Sequence, residues 1–140
     1  MLNPKPSEVD VAVIGAGSAG LPAFRAAREH TDRVILIERG PHGTTCARVG
    51  CMPSKLLIAA AEAVHGMEIA PGFGIHPGSI RIDGEAVMER VRRERDRFVG
   101  FVLDGVDRID PEQKISGKAR FVQDSRLEIG NSQVRAGRVV

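Results

Sequence analysis

The stretch that decides the fold is Val9–Gly20, which reads VDVAVIGAGSAG. It opens with an apolar run that contains one Asp and is bounded by Gly15, a pattern that indicates a buried parallel β-strand. Beyond the glycines, apolar residues recur at the spacing of one helix face, at Leu21, Phe24 and Ala27. A strand, a glycine-rich turn and a helix in this order predict the start of a βαβ unit.

A second strand, Arg33–Glu38, completes that unit and ends on an acid, 38 − 15 = 23 residues after the first glycine. The separation is close to the ~20 residues expected for an acid that binds a ribose in a dinucleotide site. In such a site the glycines permit a tight turn, the approach of a pyrophosphate and close helix packing, and the helix N-terminus faces the phosphates. The predicted binding residues are Gly15, Gly17, Ser18, Ala19, Gly20 and Glu38. The glycine pattern alone does not separate FAD from NAD, and the alternative is a glycine-rich turn that binds nothing.

The rest of the chain alternates between helices and short strands. Helices are predicted over Ser54–His65 and Glu85–Val106, and the irregular connector between them contains a short strand near Phe73–Ile75. Three short strands follow, over Lys114–Val122, Arg126–Ile129 and Gln133–Val140. We therefore expect an α/β fold in which a parallel sheet is joined to a small β-meander.

The composition is that of a soluble globular chain with the length of one domain. Its 140 residues are 42% apolar and 27% charged, with 20 basic and 18 acidic side chains. The balanced charge and the scarcity of aromatics argue against nucleic-acid binding, and the charged run Glu89–Arg97 is interpreted as a solvated helix face.

The N-terminus has no apolar signal segment, and the longest apolar helical stretch, Leu56–Val64, is too short to span a bilayer. We expect a cytoplasmic protein without a membrane partner.

Cys46 and Cys51 are the only two cysteines in the chain. On an unbroken helix their Cα atoms would be about 8.6 Å apart, whereas a disulfide needs roughly 4.4–6.8 Å. Gly50 and Pro53 predict either a distorted segment or a regular helix that begins near Cys51, with Pro53 in its first turn. Both arrangements place Cys51 near a helix N-terminus, and Lys55 adds positive charge one turn further on, which favours a thiolate.

Three functions are open to this cysteine pair. A structural disulfide is rare in the cytosol. A zinc site needs more ligands than two cysteines, and neither His42 nor His65 has the spacing of a zinc finger, so no metal is expected. The third function, a redox-active dithiol served by the bound nucleotide, is the one we favour. Because a nicotinamide transfers hydride and a dithiol needs an electron mediator, this function predicts FAD at the nucleotide site.

These segments resemble a known family, the class I pyridine nucleotide–disulfide oxidoreductases. The similar segments are Val13–Gly20, Ile37–Glu38, Gly43–Lys55 (GTTCARVGCMPSK) and Gly117–Phe121. The resemblance is to the N-terminal FAD segment of the family, which includes glutathione reductase and mercuric reductase, and is greatest to dihydrolipoamide dehydrogenase. It implies a Rossmann-like FAD-binding domain over residues 1–140, and an enzyme that passes electrons between a dithiol substrate, the cysteine pair, FAD and NAD(P).

The resemblance also implies roles for individual residues. Cys46 would be the interchange thiol that attacks a disulfide substrate, and Cys51 would be the thiolate that contacts the flavin ring. Lys55 would lie near the flavin N5, Thr45 would bind the FAD phosphates or ribityl chain, and Ala119 would contact the adenine through its backbone. The implied substrate is a small-molecule or lipoyl-protein dithiol. The alternatives are a glutathione or mercuric reductase, or a nucleotide-binding module without catalysis.

Two positions depart from the family pattern. Thr44 stands where the family usually has the second glycine of Gly-Gly-Thr-Cys, and Arg48 stands where it usually has Asn. Arg48 adds a cation beside the dithiol that would lower a thiol pKa or select an acidic substrate, unless it faces solvent.

The chain stops on Val139 and Val140 without a turn, so we interpret it as the incomplete N-terminal part of a longer protein. By resemblance, the NAD(P) and dimerisation domains would come afterwards, and the full-length enzyme would be a homodimer. We expect the 140 residues alone to have little or no activity.

Overall fold

The computed structural model describes residues 7–140 of the chain. They divide into two compact units, which we call the sheet unit (residues 7–44 and 102–140) and the helical unit (Thr45–Phe101). The strands are β1 (Glu8–Ile14), β2 (Val34–Glu38), β3 (Lys114–Ser116), β4 (Ala119–Gln123), β5 (Arg126–Ile129) and β6 (Ser132–Val139). The helices are α1 (Gly20–Arg28), α2 (Thr45–Val49), α3 (Cys51–Ile69) and α4 (Gly84–Asp107), with 3₁₀ turns over Ala70–Phe73 and Pro111–Gln113.

The glycine-rich stretch folds as the predicted βαβ unit. Strands β1 and β2 are parallel neighbours, with Ile14 opposite Ile37, and α1 connects them. The carboxyl ends of the two strands therefore lie at the same edge of the sheet, which brings the glycine turn after Ile14 close to Glu38. The first four side chains of β2 are all buried, as expected for a parallel strand that is covered on both faces.

The sheet has six strands in the order β3-β2-β1-β6-β5-β4. Strands β3, β2, β1 and β6 are parallel, and β5 and β4 extend β6 as an antiparallel meander. Strands β3 and β4 stand at opposite ends of this order, yet only Gly117 and Lys118 separate them in the chain. Three residue steps span at most about 11 Å, so the meander folds back over the parallel strands. This arrangement confirms the predicted α/β fold with a parallel sheet and a β-meander.

Each face of the parallel strands has its own hydrophobic core. One face packs against the meander, through Val9, Ala12, Ile35, Ile37, Ile115, Leu127, Ile129, Val134 and Ala136. The other face packs against α1 and the last turns of α4, through Val13, Ala16, Leu21, Phe24, Val34, Leu36 and Val106. The sheet unit is therefore layered as helices, parallel sheet and meander, and the apolar run of β2 serves both cores.

The predicted strand Lys114–Val122 is two strands in the structure, β3 and β4, because the chain turns at Gly117. Gly117 has a φ of +153°, and a Cβ at this position would lie 2.7 Å from Cγ2 of Ile129. Only a residue without a side chain allows this backbone conformation and this contact together. The turn takes the chain out of the parallel layer and into the meander.

Helix α3 is longer than the predicted helix and continues past His65. Gly66 does not end it, because one glycine in a helix interior costs only about 1 kcal/mol relative to alanine. The helix is followed by the 3₁₀ turn Ala70–Phe73 and by Gly74 in a left-handed conformation. The short strand predicted near Phe73–Ile75 is therefore wrong.

The helical run Thr45–Phe73 is 29 residues long, with a mean hydropathy of 1.2 in its most apolar window and none of that window buried. By length and composition alone it could cross a membrane, so the prediction of a stretch limited to Leu56–Val64 is wrong. The physical reason is that helix continues on both sides of that stretch. The run also carries Lys55, Glu62 and Glu68, and a single helix of this kind is weak evidence for a membrane span.

Helix α4 agrees with the predicted helix Glu85–Val106 to within one residue at each end. Its start is capped by Asp83, whose Oδ1 accepts a hydrogen bond from the Ala86 N–H at 3.0 Å. The charged run Glu89–Arg97 is mostly exposed, and Val91 is its only fully buried residue. This exposure agrees with a solvated helix face.

We predict that Gly117→Ala destabilises the protein by about 1–3 kcal/mol, because it forces a strained φ and a clash with Ile129. The measurement is the free energy of unfolding in urea. Gly66→Ala is the matched control, since a Cβ there meets nothing within 4 Å and α3 should become more stable. Equal stability of Gly117→Ala and the unsubstituted protein would contradict the account of the turn.

Candidate functional site

The three glycines of the glycine loop have different environments. Gly15 has a φ of +102°, and its N–H donates to the Ile37 carbonyl oxygen at 2.7 Å. A Cβ on Gly20 would collide with the carbonyl oxygen of Gly15 and lie 3.4 Å from Cγ1 of Val13. A Cβ on Gly17 would meet no atom within 4 Å. The fold therefore requires the first and third glycines, whereas Gly17 faces open space that a phosphate could use.

Helix α1 begins at this loop without a side-chain cap. Its N-cap residue is Ala19, no acid lies in its first turn, and Arg25 and Arg28 lie in its last turn. No carboxylate of the first turn therefore offsets the positive end of the helix dipole, which is directed at the loop. Ser18 and Ala19 are exposed at this end. The first N–H groups of the helix are suited to bind a pyrophosphate.

Glu38 joins the end of β2 to the glycine loop. Its Oε2 accepts a hydrogen bond from the Ala16 N–H at 2.8 Å, and its Oε1 accepts one from the Gly40 N–H at 2.7 Å. Burial alone raises the pKa of Glu38, but backbone hydrogen bonds from Gly40, Ala16 and Arg39 and the charge of His42 lower this pKa below its ordinary value. The ionised carboxylate keeps free lone pairs, so it can also accept hydrogen bonds from ribose hydroxyls.

A cavity of about 270 Å³ opens beside the glycine loop. It is lined by predicted site residues from three parts of the chain, Gly15, Glu38 and Ala119. Ala119 reaches the cavity because β3 is the parallel neighbour of β2 and the chain then turns at Gly117, whose N–H donates to the Glu38 carbonyl oxygen at 2.9 Å. The other lining residues were not among the predicted binding residues; they are Ile14, Ile37, Arg39, Gly117 and Lys118.

A larger cavity, of about 770 Å³, opens at the opposite edge of the sheet, where β1 and β2 begin. Its lining contains none of the predicted site residues. Size alone therefore does not identify the candidate site. The smaller cavity is the one at the carboxyl ends of the parallel strands, where open α/β sheets bind ligands.

The two cysteines flank a break between α2 and α3. Gly50 lies in the break with φ −118° and ψ −112°, and α3 begins at Cys51 with Pro53 in its first turn, as the sequence predicts. A Cβ on Gly50 would lie 3.2 Å from the Thr45 carbonyl oxygen and 3.5 Å from Cα of Cys46, so glycine eases this close return of the chain. Both cysteines are free thiols. Among residues 7–140, no group of three or more His, Cys, Asp or Glu side chains is placed to hold a metal ion.

The side chains of the two cysteines interact, and this interaction changes the pKa of Cys46. The hydrogen bond to the Cys51 side chain raises the pKa of Cys46, and burial and the charge of Cys51 raise this pKa further. A backbone hydrogen bond to Cys51 and the charge of Lys55 act in the opposite direction but are weaker. The net effect of the neighbouring Cys51 is therefore to favour the protonated form of Cys46.

Two consecutive residues before α2 have a left-handed backbone, Gly43 at φ +101° and Thr44 at φ +57°. Glycine adopts this conformation readily, but a β-branched residue is strained there. A glycine at position 44 would adopt this φ without strain. In this chain Thr44 retains the conformation at a cost of about 1–3 kcal/mol in local strain.

We predict opposite outcomes for two glycines of the loop. Gly20→Ala should lower the free energy of unfolding by about 2 kcal/mol or more, because its Cβ collides with the backbone of Gly15. Gly17→Ala should leave stability within about 1 kcal/mol of the unsubstituted protein, because the space around Gly17 is open. Urea unfolding of both variants is the measurement. A similar loss of stability in both would show that Gly17 is also required by the fold.

We also predict that Cys51→Ala lowers the pKa of Cys46, because it removes the hydrogen bond and the charge that raise it. The pKa is measured from the pH dependence of thiolate absorbance and of iodoacetamide alkylation, followed by mass spectrometry. Lys55→Gln is the control and should raise the pKa of Cys46, since it removes the nearby cation. An unchanged Cys46 titration in Cys51→Ala would contradict the hydrogen-bonded pair.

Comparison with known proteins identifies the family to which the chain belongs. Residues 9–137 match the family described as Pyridine nucleotide-disulphide oxidoreductase. The chain is 45% identical over 92 residues to a mercuric reductase from Streptomyces lividans, an alignment covering 65% of this chain and 19% of that protein. It is 43% identical over 125 residues to a dihydrolipoyl dehydrogenase from Chlamydia pneumoniae, which covers 87% of this chain and 26% of that protein.

A solved structure has the same fold. It is the HOCl-induced flavoprotein disulfide reductase RclA from Escherichia coli, with a TM-score of 0.67 and 19% identity over 93% of this chain and 27% of that chain. This chain therefore spans about a fifth to a quarter of the length of these relatives. From the match over residues 9–137, the chain belongs to the pyridine nucleotide-disulphide oxidoreductase family.

Proposed function

We propose that this chain is the FAD-binding part of a flavin-dependent dithiol–disulfide oxidoreductase of the dihydrolipoyl dehydrogenase type. The observation that carries the proposal is the hydrogen-bonded pair of Cys46 and Cys51 at the Gly50 break. The same chain has a cavity between a glycine loop and an ionised acid, which is suited to an adenine nucleotide. A mercuric or glutathione reductase would use the same cysteine chemistry on a different substrate.

The residues of the sheet unit fit the ADP half of FAD. Gly17 leaves room for the pyrophosphate, and the uncapped N-terminus of α1 attracts its charge. The Glu38 carboxylate binds ribose hydroxyls and repels a 2′-phosphate, while the backbone of Ala119 contacts the adenine. When bound, FAD supplies the two-electron link between a dithiol and a nicotinamide nucleotide.

The cysteine pair exchanges a disulfide bond with the substrate. In the oxidised pair, a substrate thiolate attacks the sulfur of Cys46, the bond between the two cysteine sulfurs breaks, and Cys51 leaves as a thiolate. The second substrate thiol then attacks the substrate sulfur of the mixed disulfide and releases Cys46. The substrate loses two electrons and two protons, and the pair gains both electrons. One proton stays on Cys46, whose raised pKa favours that outcome, and the other passes to solvent.

Lys55 and Thr45 complete the proposed site. Lys55 lies one turn beyond Cys51 on α3, and its charge acts to lower the pKa of Cys46. We assign it to stabilise the Cys51 thiolate near the flavin N5. Thr45 is exposed at the start of α2, and we assign its hydroxyl to the phosphates or ribityl chain.

For the whole enzyme we propose a cytoplasmic homodimer that uses NAD or NADP and a small-molecule or lipoyl-protein dithiol. The helical unit exposes large apolar side chains, among them Leu57, Ile58, Phe98 and Phe101. Apolar surface of this kind is typical of protein interfaces, which supports a partner subunit. The balanced net charge of +2 and the absence of Trp and Tyr give no support to nucleic acid as a partner.

The test is a dithionite titration of the purified chain after FAD is added. We predict that partial reduction produces the long-wavelength absorbance of a thiolate in contact with flavin. Cys51→Ser should abolish this band, because it removes the thiolate that contacts the ring. Cys46→Ser is the matched control and should keep it.

Two results would contradict the proposal, each in a different part. One result is that FAD binds and is reduced without this band, and that Cys51→Ser does not change the titration. It would indicate a nucleotide-binding module without dithiol chemistry. Failure of FAD to bind would contradict the assignment of the cavity itself.

A further inference from the structure

The cavity of about 770 Å³ at the edge where β1 and β2 begin has no part in the proposed function. Its volume is within the range of about 300–1,000 Å³ that is typical of small-molecule sites. All of its lining residues belong to the sheet unit. Eight of the fourteen are charged, and they are Glu8, Arg25, Arg28, Asp32, Arg33, Arg108, Asp110 and Glu112. The apolar lining residues are Val9, Phe24, Val34, Ile35 and Ile109. The cavity therefore combines an apolar wall with charged groups of both signs.

Two of the four arginines in this lining interact with carboxylates of the chain itself. Nη1 of Arg28 lies 2.9 Å from Oδ1 of Asp32. Nε of Arg33 lies 3.7 Å from Oδ1 of Asp10, and its Nη2 donates to the Glu8 carbonyl oxygen at 3.4 Å. The positive charge of these two side chains is therefore already offset within the protein.

The other two arginines, Arg25 and Arg108, have no such partner. Across residues 7–140, neither side chain makes a hydrogen bond or an ion pair. A Cβ on Gly105 would lie 4.0 Å from Nη2 of Arg25, so the Arg25 guanidinium lies against the last turns of α4. Arg108 comes three residues after Gly105, and residues at this spacing are neighbours on a helix surface. The cavity thus has two cations without a counterion in one part of its lining, where a bound anion would be stabilised by both.

A role in folding is the alternative explanation for these two arginines. Arg25 lies in the last turn of α1 and Arg108 directly follows α4, so both cations offset the negative end of a helix dipole. This role needs only a positive charge, and lysine would serve it as well as arginine. Recognition of a ligand also needs the planar guanidinium group, which lysine lacks. The two roles therefore differ in what a lysine can replace.

We propose that this cavity is a second binding site, separate from the nucleotide site, for a small phosphate monoester whose organic part carries hydroxyl groups. The oxygens of a phosphate dianion can accept paired hydrogen bonds from both guanidinium groups. The cavity is far larger than a phosphate ion and leaves room for an organic group. Hydroxyls on that group can donate to lining carboxylates such as those of Glu8 and Asp110, while its carbon atoms contact the apolar wall. The site requires neither FAD nor the cysteine pair.

The experiment titrates the full chain with inorganic phosphate, glycerol 3-phosphate and ribose 5-phosphate. Glycerol and ribose are the matched probes without a phosphate. Dissociation constants are measured by calorimetry at constant ionic strength, because salt screens exposed charges. Backbone amide NMR shifts locate the bound phosphate. They distinguish the cavity, at residues 108–113, from the glycine loop at residues 15–20, where a helix N-terminus also attracts anions.

Four variants test the two arginines. Arg25→Gln and Arg108→Gln remove the charge, whereas Arg25→Lys and Arg108→Lys keep the charge and remove the guanidinium group. Arg138→Gln is the matched control, since Arg138 is exposed on β6 and does not line this cavity. The melting temperature of each variant without ligand shows that it is folded.

We expect the two phosphate esters to bind more tightly than inorganic phosphate, with shifts at residues 108–113, and we expect glycerol and ribose not to bind. Arg25→Gln and Arg108→Gln should each weaken the binding of ribose 5-phosphate about tenfold or more, because each removes a hydrogen-bonded charge. Both lysine variants should also lose affinity, whereas Arg138→Gln should bind as the unsubstituted protein does. Shifts confined to residues 15–20, or no binding of either ester, would overturn the site. Unchanged affinity in the lysine variants would overturn recognition by the guanidinium groups and leave the arginines with their role at the helix ends.

Discussion

The carboxylate of Glu38 holds together the loops that make the nucleotide site. Its two oxygens accept hydrogen bonds from the Ala16 and Gly40 N–H groups, and its backbone carbonyl accepts one from Gly117. Three turns that are distant in sequence therefore converge on one residue at the carboxyl end of β2. Hydrogen bonds to an ionised acceptor are roughly twice as strong as neutral ones. The bonds from Gly40 and Ala16 also lower the pKa of Glu38, so they favour the ionised carboxylate that accepts them.

The geometry of the dithiol is set by a different feature, the helix break at Gly50. The lack of a side chain there eases the close return of the chain. A cysteine pair with this spacing is too far apart on a continuous helix, so its chemistry requires that the helix stop between the two residues. The break also makes Cys51 the first residue of α3, where the helix dipole favours negative charge. The interaction with Cys51 raises the pKa of Cys46, and the charge of Lys55, one turn further on, opposes this rise only in part.

The sequence predicts those parts of the structure that depend on neighbours along the chain. The βαβ unit, the ends of α4 and the restart of helix at Cys51 follow from local periodicity and from glycine and proline positions. The turn at Gly117 does not, because it is set by Ile129, which comes from the next strand of the meander. The position of Ala119 beside Gly15 likewise depends on the order of the strands, and only the family resemblance indicated it.

The residues between Glu38 and Cys46 carry the least favourable local features of the site. Thr44 is a β-branched residue at φ +57°, and within residues 7–140 the buried Nδ1 of His42 has no hydrogen-bond partner. A sequence selected for stability alone would place glycine at the first position and an apolar side chain at the second. Natural proteins retain such features mainly where function requires them. This loop joins the acid that is proposed to bind the ribose to the thiol that is proposed to meet the substrate. The strained backbone of Thr44 lies within this connecting segment.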